Sequence, residues 1–111
     1  MIEATLISFL ETKLTVPVYA MRPEKDPGDY VIVEKTGSSV TNQIYDVTVA
    51  LQSYSDTLLG AATLNEEVKE AMIDLYSEME VGRVKLVTDY NYTNTSAKKF
   101  RYQAVYNVIE Y

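Results

Sequence analysis

The chain opens with Ile2, Leu6, Phe9 and Leu10 at helical spacing, and Lys13 continues that face. This pattern predicts an amphipathic helix over residues 2–14. Pro17 disfavours helical backbone at Val16, so the helix should stop near Leu14. Val18-Tyr19-Ala20-Met21 reads as a short strand. Arg22 to Asp29 contains Pro23, Pro27 and Gly28, the chemistry of a loop. Tyr30 to Thr36 is rich in β-formers, and Gly37-Ser38-Ser39-Val40-Thr41 reads as a break after it. From Asn42 to Tyr54 the pattern has period two: Tyr45, Val47, Val49 and Leu51 alternate with Asp46, Thr48 and Gln52. That alternation predicts a half-buried strand, joined to the one before it as a hairpin.

The strongest periodicity follows. Leu64, Val68, Ala71, Met72, Leu75 and Met79 share one helical face, with Glu66, Glu67, Glu70 and Asp74 on the other. Two starts are open, an N-cap at Ser55-Asp56 and a capping-box spacing at Thr63 to Glu66. Gly82 suits the stop. Val84, Leu86, Thr88, Tyr90 and Tyr92 then alternate with Lys85, Val87, Asp89 and Asn91. After a polar turn at 93–97, Tyr102, Ala104, Tyr106 and Val108 alternate with Arg101, Gln103 and Asn107. These predict a second hairpin whose last strand, running to Tyr111, could be a pairing edge. The order is α-β-β-β-α-β-β. It implies an α+β fold with a mixed or antiparallel sheet and both helices on one face.

The 111 residues leave room for one domain, 1–111. The chain holds no His and no Cys, which removes the imidazole base, the thiol nucleophile and Cys/His zinc sites. No catalytic motif and no glycine-rich phosphate loop occurs, so neither catalytic residue, cofactor nor metal is expected, and an enzyme is not. The paired carboxylates on the second helix read as a solvated face. No apolar run is long enough for a membrane span, and the N-terminus lacks the marks of a secretory signal.

Net charge is −6, unevenly divided. Residues 1–82 carry five bases against fourteen acids, and residues 83–111 carry five bases against two acids. An acidic chain is a poor general nucleic-acid binder. The run Lys98-Lys99-Phe100-Arg101-Tyr102 reads better as a strand entry than as a base-stacking platform. Ten tyrosines, against two Phe and no Trp, admit two readings: half-buried strand filler or a protein–protein interface.

Several segments resemble small proteins from the structural gene clusters of tailed phages and prophages of Gram-positive bacteria. They are Tyr19-Ala20-Met21-Arg22-Pro23, Tyr30 to Ser39, Gln52-Ser53-Tyr54, Ala62 to Lys69, Asp89 to Thr93 and Arg101 to Val105. The element order is similar to that of tail-terminator and tail-completion (head–tail joining) proteins. That resemblance implies a subunit of a hexameric ring that caps the tail tube and docks to the head connector. It would reside in the virion, after assembly in the host cytoplasm. Its partners would be itself, the tail-tube protein and the connector protein. A prophage-encoded binding adaptor outside the virion is the alternative.

A ring needs two different patches that fit each other. The charge split suggests that Arg83, Lys98, Lys99 and Arg101, with Tyr102 and Tyr106, meet Glu66 and Glu70 of the next subunit. The candidate docking loops are 23–29 and 37–41, with Asp26, Asp29, Ser38, Ser39 and Thr41 as their polar residues and Arg22 just before the first. Six copies at −6 each carry −36, so an acidic lumen would repel passing DNA rather than read its sequence.

Overall fold

The structure is a computed structural model that describes residues 2–25, 27–75, 83–93 and 99–110. Helix α1 spans Ile2–Lys13, β1 Val18–Tyr19, β2 Tyr30–Thr41, β3 Ile44–Ser55, α2 Leu58–Ile73, β4 Arg83–Asn91 and β5 Phe100–Glu110. The expected α+β order is the observed one. The five strands form one sheet in the order β1-β2-β3-β5-β4. β1 runs parallel to β2, and every other neighbouring pair is antiparallel.

Both helices pack on one face, as the sequence pattern predicts. Their buried stripes, Leu6, Phe9 and Leu10 from α1 and Leu64, Val68 and Met72 from α2, meet Val31, Val33, Val49, Leu51, Ala104 and Val108 from the sheet. The period-two strands fit because one of their faces must lie against this apolar layer. The helix α2 starts at neither expected cap. Thr57 is its N-cap, and its hydroxyl accepts from the Gly60 N–H at 2.9 Å. Met79 lies outside the described residues.

Four further differences from the sequence reading matter for the site. First, 37–41 is no loop: β2 runs through it, with one bulged residue between Lys35 and Gly37. Ser38, Ser39 and Thr41 are therefore strand residues. The chain turns instead at Asn42 and Gln43, which hold φ of 52° and 65° without a glycine. Second, the β2–β3 hairpin is long. Twelve-residue strands span about 40 Å, close to the 44 Å long dimension of the molecule. Third, the last strand is not an edge. β5 lies between β3 and β4, so β4 closes the sheet on that side. Fourth, β4 changes face. A bulge between Leu86 and Thr88 sends Asp89 toward α2 and Tyr90 to the opposite face.

Candidate subunit interface

Two regions stand out: the sheet face without helices, and the two outer strand edges. The helix-free face carries a side-chain network across four strands. Gln52 Nε2 donates to Gln103 Oε1 at 2.9 Å and to Glu34 Oε2 at 3.3 Å. Gln103 Nε2 donates to the Tyr90 hydroxyl at 2.7 Å, and the Tyr54 hydroxyl donates to Gln52 Oε1 at 3.2 Å. Gln52 and Gln103 are both buried. Buried amides need partners, and each supplies the other's.

The tyrosines line up beside this network. Tyr30 stacks on Tyr54 with ring centroids 4.7 Å apart, and Tyr19 meets Tyr30 edge-on. Tyr90 and Tyr92 meet edge-on at 5.6 Å. Arg101 links the two groups: its guanidinium lies 4.3 Å from the Tyr92 ring centroid and donates to the Tyr54 hydroxyl at 2.9 Å. Burial pushes the Tyr30 hydroxyl above its ordinary pKa, while Arg22, hydrogen-bonded to it, pulls the other way. So the tyrosines at 19, 30 and 54 serve mainly as a second small core on this face. Tyr90 and Tyr92 remain exposed at its β4 side.

The expected interface residues fall into different environments. Arg83 is exposed and donates to Asn107 Oδ1 at 3.0 Å. Lys98 lies outside the described residues. Lys99 is 6% exposed and pairs with Asp56 at 2.9 Å in its own chain. Arg101 is engaged as described, and Tyr102 is half-buried. Tyr106 is buried beneath α2, and burial raises its hydroxyl to about 12. Glu66 and Glu70 are exposed on α2, with Glu66 bound to Lys69 at 2.8 Å. Arg83 stands at the Ile109 end of β5, and Lys99 and Arg101 stand at its Phe100 end, so these basic residues are spread along the helix-free side of the sheet. Of the docking-loop residues, Arg22 and Asp29 are exposed in the 20–29 connection, and Asp26 lies outside the described residues. Ser38, Ser39 and Thr41 are exposed on the hairpin arm.

The sheet edges belong to β2 and β4 rather than to the last strand that the sequence pattern suggests. Among the described residues, β1 covers the outer edge of β2 only at Val31 and Ile32. Residues 33–41 pair with β3 alone, and β4 pairs with β5 alone. Each edge is nine residues long. Exposed apolar side chains lie along both, Val40 on the arm and Leu86 with Val87 on β4. Beside β4, a cavity of about 390 Å³ is lined by Met72, Ile73, Val84, Leu86, Tyr106 and Lys69. At its rim Lys69 Nζ holds Asp89 Oδ2 at 2.8 Å, and Asn65 donates to the same oxygen at 2.9 Å. Those contacts, Lys69 foremost, hold the Asp89 carboxyl below its ordinary value.

The polar groups of the helix-free face bind one another across the strands. Among the described residues no group of three or more carboxylates could hold a metal ion. No described helix is long and apolar enough to cross a membrane. No protein-family model and no curated protein sequence matches the chain. Among solved structures it is similar in fold to a chain from the virion of a native gene transfer agent particle. The TM-score is 0.64 at 16% identity, over 96% of this chain and 84% of that one.

Proposed function

We propose that this chain is a structural component of a tailed-phage-like particle, and that it builds a ring of the tail-terminator or head–tail joining type. The observation that carries the reading is the near end-to-end correspondence of fold with a virion chain, across two helices and a five-stranded sheet. The outer edges of β2 and β4, which pair with no further strand among the described residues beyond β1's short contact, add physical support, since an uncovered edge is a template for pairing with another chain. The resemblance of the sequence to phage tail proteins points the same way. In this reading the work of the protein is shape and contact, not catalysis. Its partners are further copies of itself, a tail-tube protein and a connector protein. The exposed acids of the body favour a conduit that does not hold DNA.

Two measurements test this together. Light scattering on the purified chain, with and without the tail-tube protein, should give a species of six monomer masses. Proteomics of purified particles should find the chain at a stoichiometry matching one ring. A strict monomer that is missing from the particles would favour a binding adaptor outside the virion.

A further inference from the structure

Resting on that reading, we infer that neighbouring subunits join by antiparallel pairing of the outer edge of β2 in one copy with the outer edge of β4 in the next. The backbone parity allows it. The Val31 N–H donates outward to the Pro17 carbonyl at 3.0 Å. The Tyr92 N–H donates inward to the Arg101 carbonyl at 2.8 Å. N–H direction alternates with side-chain direction along a strand. Hence the residues of β2 and β4 whose side chains face the helices turn their N–H and C=O groups outward. The two strands also run antiparallel within the sheet. A second copy in the same orientation beyond either edge therefore presents β4 to β2 antiparallel.

One register satisfies the rest. Val33 falls opposite Asn91 and Thr41 opposite Arg83, so the two nine-residue edges coincide at both ends. The pairing between copies stops after Glu34, because the Tyr19↔Ile32 bridge to β1 already engages the outward N–H of Val33. Each strand has one bulged residue, Thr36 in β2 and Val87 in β4. In this register both bulges fall in the same gap, so the side-chain faces match on either side of it. A bulge normally protects an edge from pairing. Here each compensates the other, which favours this partner over a straight strand. Lys35 comes to lie opposite Asp89, whose carboxyl Lys69 and Asn65 already hold ionised. Val40 is placed beside Val84 at the rim of the apolar cavity under α2. The contact is head-to-tail, as ring closure requires.

The absence of cysteine makes a direct test simple. Ser39 and Lys85 form an opposed pair whose N–H groups point away from each other, the closer-spaced kind, with Cα atoms about 4.5 Å apart. Within one chain they lie three strand spacings apart, about 14 Å, too far for a disulfide. Oxidised Ser39→Cys/Lys85→Cys protein should form a ladder of covalent multimers. Mixed single variants should give only dimers, and each single variant alone should stay monomeric. Thr41→Cys/Tyr90→Cys, out of register, should not cross-link. Cross-linking of Lys85→Cys with itself would mean two-fold edge pairing and overturn the proposal. A ring that forms without the 39–85 bond also overturns it, while leaving the ring reading intact. A chain that never self-associates, even on a tail tube, removes the ring reading and this interface with it.

Discussion

Lys69 Nζ stands 2.8 Å from Asp89 Oδ2 and so ties the C-terminal half of α2 to the edge strand β4. Both side chains are mostly buried, at 22% and 28% exposure. The Asp89 carboxyl titrates below its ordinary value, first because of Lys69 and then because of Asn65. A depressed carboxylate contributes stability that is complete above its ordinary value of 3.8. That stability is lost as pH falls through the lowered value. Asp89→Asn should cost about 1–2 kcal/mol at neutral pH. The gap to the parent should close in acid, below about pH 4. Urea melts from pH 7 down to 3 would measure it, and a gap that is constant with pH would exclude the ion pair as the cause.

Tyr106 gives the alkaline counterpart. Burial under α2 raises its hydroxyl from 10.0 to about 12. A raised value means that stability from the neutral phenol is whole below pH 10 and fades as pH rises toward 12. Tyr106→Phe keeps the ring and removes the proton. It should flatten the loss of stability between pH 10 and 12 that the parent shows. A parent and variant that lose stability in parallel over that range would refute the assignment.

Much of this framework can be read from residue order. β3 and α2 announce themselves because each buries one face: Val47, Val49 and Leu51 at period two, Leu64, Val68, Ala71 and Met72 at helical spacing. The features that shape the proposed interface are of another kind. A bulge adds one residue and reverses the faces beyond it, so Thr88 and Tyr90 do not share a face with Leu86 as strict alternation implies. A turn at Asn42-Gln43 lacks the glycine that usually marks it, so the sequence pattern places the break at Gly37 instead. Sheet order is non-local: nothing near Arg101 in the chain says that β5 lies inside β4. The charge split does not reveal that Lys99 and Arg101 hold Asp56, Tyr54 and Tyr92 of their own chain, because strand pairing brings those partners together.

The Gln52–Gln103 pair should behave asymmetrically. Either single change to Leu leaves the other buried amide short of a partner, at a cost of about 1–3 kcal/mol. Changing both removes the two buried amides together, and Glu34, which is exposed, can turn to water. The double variant should therefore be more stable than the sum of the single losses predicts. Simple additivity in a double-mutant cycle would show that the 2.9 Å contact contributes no coupling.

Gly60 offers a test of whether local propensity or packing governs the start of α2. Alanine is the better helix former by about 1 kcal/mol. Yet a Cβ on Gly60 would crowd Ser55 Oγ, lie 2.8 Å from Thr57 Oγ1 and come within 3.1 Å of Ser55 Cβ. Thr57 Oγ1 is the N-cap acceptor, so relieving the crowding breaks the cap. Gly60→Ala should destabilise the protein by about 1–2 kcal/mol. A rise in melting temperature would show that Ser55 and Thr57 move aside at no cost.

Gln43 sits at the tip of the arm with φ of 65°, a conformation that residues with a Cβ adopt at a cost. Its partner in the turn, Asn42, tolerates that region better, and Asn-Gly is the pair that such two-residue turns favour. Thr41 and Ile44 close the turn as paired residues, so the register of the whole arm depends on it. Gln43→Gly should therefore stabilise the protein by about 0.5–1 kcal/mol, the relieved strain outweighing glycine's extra freedom in the unfolded chain. The gain should appear as a higher denaturation midpoint with an unchanged slope. Because Gln43 lies beyond Thr41, outside the paired edge, the substitution should leave the 39–85 cross-link intact. A stabilised variant that loses the cross-link would place the turn itself in the contact.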